Sequence, residues 1–121
     1  MKRKELATSF LELAASGKVA EAYEKYVHAN FKHHNTYFNG DRETLLKAME
    51  EAHVSSPNEF FKVQHTFEDD ELVAVHSHLR KKDGADIAVV HMFRFEDNKI
   101  IELWDVGMIV PKDSPNENGV F

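Results

Sequence analysis

The sequence predicts an α+β domain in which N-terminal helices cover one face of a strongly curved antiparallel sheet and leave a cavity between the two layers. Three observations carry this expectation. The first half places apolar residues three and four apart. The second half alternates apolar and polar residues in four segments separated by turn residues. A length of 121 residues with 42% apolar content suffices for one buried core, so a single domain over 1–121 is expected.

The elements follow in order. Leu6, Phe10 and Leu13 mark the apolar face of a first helix, and Ser16-Gly17 supplies its stop. A second, short helix is expected over about 19–27, burying Tyr23, Tyr26 and Val27. A third begins after Asp41, whose carboxylate can accept from free N–H groups of the first turn, and runs to about Val54 with Leu45, Leu46 and Met49 inward. Between the last two, residues 31–41 read as an extended segment and a turn. Ser55-Ser56-Pro57-Asn58 breaks the chain. Strands are expected over 60–67, 72–80, 87–95 and 100–110, an antiparallel meander closed by tight turns at Asp83-Gly84 and Asp97-Asn98. Residues 111–121, rich in proline and asparagine, read as an irregular strap.

Composition excludes several function classes. The net charge is −6 and no basic stripe is present, which argues against nucleic-acid binding. No apolar run approaches the roughly 18 residues of a membrane span. The basic start lacks an apolar signal core and the chain has no cysteine, so no disulfide framework and a cytoplasmic location are expected. G-x-S-x-G, Walker, G-x-G-x-x-G and H-E-x-x-H patterns are all missing. Eight histidines and nine phenylalanines are many for this length and suit a pocket for an apolar small molecule.

Two groups of residues could carry chemistry. With Asp83-Gly84 as a two-residue turn, His76 faces His91 and His78 lies on the same side, so three imidazoles would share one face. Such a set could also ligate a metal, with His34 as a further ligand. Asp105 is the second, a carboxylate between Trp104 and Val106 in an apolar strand, where an ionised group is costly unless it is paired or functional. With Asp97-Asn98 as a two-residue turn, ideal pairing opposes Asp105 to Val90 and turns it away from His91. A single bulge, for which Gly107 is a natural place, reverses that parity.

The blocks V-A-V-H-S-H (73–78) and F-R-F-E-D-N-K-I-I-E-L-W-D-V (93–106), with H-H-N-T (33–36) and Gly40 before them, resemble the SnoaL-like polyketide cyclases over nearly the whole chain. The resemblance implies the nuclear-transport-factor-like fold, a cone-shaped barrel with an internal pocket closed by N-terminal helices. It further implies cofactor-independent aldol-type cyclase, lyase or isomerase chemistry on a small carbonyl compound. Asp105 maps to the general acid/base, His34 to the histidine of the H-N motif and His91 to a pocket histidine, both polarising the carbonyl. Asn35, His76, His78 and Trp104 are expected to contact the substrate. Two departures, Leu103 where relatives carry histidine in E-H-W-D and Thr36 where they carry proline, imply a different pocket. A small-molecule ligand and a homodimer formed through the sheet are the expected partners. A histidine-based metal-binding protein and a non-catalytic ligand-binding or dimerisation module are the competing readings.

Overall fold

The computed structural model describes all 121 residues as three helices packed on a five-stranded sheet, with the elements α1 (Arg3–Ala15), α2 (Val19–Tyr26), β1 (Val27–His33), α3 (Arg42–Ser55), β2 (Asn58–Asp69), β3 (Leu72–Lys81), β4 (Asp86–Glu96) and β5 (Lys99–Ile109). The sheet order is β1-β5-β4-β3-β2. The meander β2–β5 is antiparallel as expected, but β1 joins β5 in parallel, so the sheet is mixed. The sequence hid β1 because its buried positions, Val27, Phe31 and His33, are spaced irregularly, and its register with β5 slips between Val27 and Lys32.

Helix α1 buries Ala7, Phe10, Leu11 and Ala14, one stripe of a 3.6-residue period. It ends at Gly17, whose φ of +99° is left-handed and whose missing Cβ leaves room for the His53 ring. Helix α3 starts where expected: Asp41 accepts from the Thr44 backbone N–H at 3.0 Å and from its hydroxyl at 2.7 Å, and these bonds hold its carboxyl below the usual range.

The helices bury one face of the sheet. Phe10 meets Tyr23 and Phe93 edge-on at 5.6 and 6.0 Å between ring centres, and Tyr23 meets Phe31 at 6.0 Å. Edge-to-face pairs add roughly 0.5–1.5 kcal/mol each beyond area burial. Val73, Val75, Phe95, Ile100 and Leu103 complete the core.

Two hairpins decide which side chains enter the interior. At β4–β5 the Asp97-Asn98 turn forms with φ of +51° and +61°, the mirror-image turn suited to a two-residue loop. Ile100 pairs with Phe95, yet Glu102 pairs with Arg94, so Ile101 is an extra residue and a bulge. The bulge lies at Ile101 rather than Gly107, which stays in register opposite Val89. At β3–β4 the expected two-residue turn does not form. The Lys81 N–H donates to the Ala85 carbonyl at 2.9 Å, leaving a three-residue loop with Gly84 at φ +95°. That one-residue change opposes His91 to Val75 instead of His76, and puts His76 and His78 on the opposite face from His91.

Candidate functional site

On the helix-facing side of the sheet, His91 of β4 and Asp105 of β5 stand directly opposite each other. The Ile101 bulge is the cause, because it moves every later residue of β5 by one position. Asn35 completes the group. After β1, the His34 N–H donates to the Leu103 carbonyl at 2.9 Å, which continues the parallel pairing. The next side chain then reaches inward, and Asn35 Nδ2 donates to Asp105 Oδ2 at 3.0 Å.

Asn35 is itself held. Its backbone N–H donates to His33 Nδ1 at 3.1 Å, and its Oδ1 accepts from the Tyr37 N–H at 3.0 Å. His33 is buried and its Nε2 lies 2.7 Å from the Asn39 carbonyl. The carbonyl needs a donor and the Asn35 N–H needs an acceptor, so the network assigns the neutral Nε2–H tautomer. A chain of hydrogen bonds thus runs from Asn39 through His33 and Asn35 to one oxygen of Asp105.

Burial pushes the His91 imidazolium down to about 4, against the pull of the Asp105 carboxylate. His91 is therefore neutral at pH 7. Its Nδ1 is buried with no hydrogen-bond partner. His91 also lines a cavity of about 190 Å³ between α1, α3 and strands β2–β4, walled by Leu11, Met49, Phe61, Leu79 and Val89. Above the sheet, the Tyr23 hydroxyl sits 3.2 Å from Met49 Sδ. Burial, partly offset by Arg42 and reinforced by Asp105, pushes its ionisation above the ordinary range.

The other expected site residues lie on the outer face. The His34 ring stacks on Trp104 at 5.0 Å with planes 3° apart, and its Nε2 lies 2.7 Å from Glu102 Oε2. Arg94 Nε donates to the other Glu102 oxygen at 2.9 Å. Burial works to raise the Glu102 carboxyl, but the hydrogen bonds from His34 and Arg94 outweigh it and hold it low. His34 and Trp104 are thus placed away from Asp105, because neighbours along a strand point to opposite faces.

His76 Nδ1 meets His65 Nδ1 at 3.0 Å, and His78 Nε2 lies 2.8 Å from Asp86 Oδ1. The strap crosses here, with the Phe121 ring stacked on His78 at 4.0 Å. The expected ribbon of three imidazoles, His76, His78 and His91, does not form, since the sheet separates the first two from the third. No group of three or more histidines and carboxylates is placed to hold a metal ion.

The geometry can be set beside known proteins. The family model for the SnoaL-like domain matches residues 7–103. The chain belongs to the SnoaL-like family. In this SnoaL-like protein the match ends two residues before Asp105. A comparison with curated proteins gives no match. Among solved structures, an NTF2-like protein of unknown function from Cytophaga hutchinsonii is 17% identical with a TM-score of 0.72, covering 89% of this chain and 91% of that one. IdmH from Streptomyces antibioticus, proposed as a polyketide cyclase, is 16% identical with a TM-score of 0.69, covering 88% and 92%. AclR from Streptomyces galilaeus, proposed as a hydroxylase, is 20% identical with a TM-score of 0.70, covering 91% and 89%. At these identities the likeness establishes the NTF2-like α+β cone and not the reaction.

The sequence alone does not mark His33 or the cavity residues Asn58 and Lys81 as site residues, and it marks Tyr23 only as buried. Only alternation along β1 could have marked His33 as inward, and that strand is too irregular to show it. In the sequence Lys81 stands beside Lys82-Asp83-Gly84, where no local pattern marks it as a cavity residue.

Proposed function

We propose that this SnoaL-like protein binds a small apolar carbonyl compound in the cavity beside His91 and performs cofactor-independent general acid/base chemistry of the aldol, cyclase or isomerase type. The single observation that carries the reading is the opposition of Asp105 and His91 on the helix-facing side, with Asn35 occupying one Asp105 oxygen. Asp105 stands opposite His91 and outside the cavity's own lining, so the carbonyl end of the ligand reaches past His91 for Asp105 Oδ1 to take a proton from the carbon next to the carbonyl. His91, neutral at pH 7, can donate one N–H to the developing oxyanion without itself giving up a charge. Asn35 is the positioning residue. His34, stacked on Trp104, serves the outer face and takes no part.

The competing metal-binding reading loses its ligand set when His91 parts from His76 and His78. We also propose that the protein pairs with a second copy through the outer face, where Phe67, Leu72, Met92, Val106 and Met108 are exposed. No helix is long and apolar enough to cross a membrane.

The test is substrate-independent. Small ketones and 1,3-dicarbonyl compounds in D2O are followed by NMR for deuterium wash-in at the carbon next to the carbonyl. The wild type should accelerate exchange for a subset, and Asp105→Asn should lose about 10²–10⁴-fold of that acceleration. Unchanged exchange in the variant overturns the assignment.

A further inference from the structure

The cavity has a chemical asymmetry that general acid/base chemistry does not require. The chain holds 21 aspartates and glutamates against 15 lysines and arginines, yet no acidic residue lines this cavity. Its lining carries a single full charge, Lys81, at the hairpin end of β3. The other polar groups in the lining are His53, Asn58 and His91.

Lys81 is built in rather than loose. Its Nζ donates to the Ser56 carbonyl at 2.9 Å and to Asn58 Oδ1 at 2.8 Å. Asn58 is fixed in turn by donating Nδ2 to the Ala15 carbonyl at 3.0 Å. An ammonium carries three donors, so one N–H of Lys81 has no partner among these bonds. Burial lowers the Lys81 pKa, while the Asp83 carboxylate, across the loop, opposes this. The remaining walls are apolar, from Leu11, Ala14, Met49, Phe61, Leu79 and Val89.

We infer that Lys81 is a specificity-determining anion anchor, and that the cavity takes a small apolar compound with one carboxylate or equivalent anionic end seated on Lys81 and its body running towards His91. The inference rests on the cavity reading of the proposed function but not on Asp105 chemistry. At about 190 Å³ the space lies below the roughly 300–1,000 Å³ of drug-sized pockets, which limits the ligand to a compact ring or short chain. A neutral ligand of the same shape offers the third Lys81 donor only an uncharged acceptor, without the attraction between ammonium and carboxylate. A charge-assisted hydrogen bond adds about 1.5–3 kcal/mol, which corresponds to roughly 10–100-fold in affinity.

The test compares phenylacetate with phenylacetamide, two probes of one shape and different charge, by NMR titration of the full-length protein. Wild type should bind the acid at least about tenfold more tightly. Lys81→Met should lose that preference, and Lys81→Arg should retain it. Lys81 also ties β3 to the start of β2, so thermal melts accompany each variant. If Lys81→Met does not fold, the wild-type preference and its persistence in Lys81→Arg decide.

Equal binding of acid and amide by wild type, binding of neither, or an unchanged preference in a folded Lys81→Met overturns the proposal. The anchor is read by binding of acid against amide in wild type and the Lys81 variants. Failure of the anchor is therefore distinguishable from failure of the chemistry, which is read by exchange alone.

Discussion

Replacing His91 with leucine gives the sharpest physical consequence of the site's geometry. Burial holds the imidazole at about 4 against an ordinary 6.5, so below pH 6.5 the unfolded chain takes up a proton that the folded chain refuses. Stability from this residue is therefore complete above pH 6.5 and is lost as the pH falls towards 4. A drop of about 2.5 pH units at roughly 1.36 kcal/mol each is about 3 kcal/mol, and partial access of the ring to solvent trims this to about 2–3 kcal/mol.

Urea unfolding at pH 7.5 and pH 4 reads the effect. With a denaturant slope of about 1–3 kcal/mol/M, the wild-type midpoint should fall by roughly 1–2 M from this group alone. His91→Leu lacks the titration, whereas Glu102 and Asp86 titrate in both proteins and cancel in the comparison. The stability difference between wild type and variant should thus shift by about 2–3 kcal/mol in favour of the variant at pH 4. A difference that stays constant with pH would refute the buried neutral imidazole.

Three further outcomes follow. Asn35→Ala removes the 3.0 Å bond to Asp105 and should slow deuterium wash-in by about tenfold with little change in ligand affinity, which separates positioning from binding. Glu102→Gln removes a carboxylate held low by His34 and Arg94. Unfolding at graded pH should show the variant less stable at pH 7 and lacking the wild type's loss of stability below the usual carboxylate range. Met92→Glu places a charge in the exposed apolar outer face, and sedimentation should show a dimeric wild type and a monomeric variant; a monomeric wild type would exclude the sheet-face pair.

Much of the fold was legible because the helical stripe of α1, the Asp41 cap and the Asp97-Asn98 turn are local signals. Each is fixed by residues within a few positions of one another. Register was less legible, since one residue of loop length or one bulge reverses the facing of every later side chain. The three-residue loop ending at Gly84 parted His76 and His78 from His91. The bulge at Ile101 brought Asp105 to His91, contrary to ideal pairing, and no residue type at Ile101 announces it. Asn35 could be named from the H-H-N-T segment, but its bond to Asp105 depends on the parallel placement of β1, a contact between residues 70 positions apart.

The proposed reactive face is the one covered by helices, carrying Asp105, and not the outer face carrying His34. Deuterium wash-in measured side by side in Asp105→Asn and His34→Ala tests it most directly. The arrangement predicts loss of exchange in Asp105→Asn and wild-type exchange in a folded His34→Ala. Loss in His34→Ala with exchange retained in Asp105→Asn would contradict it.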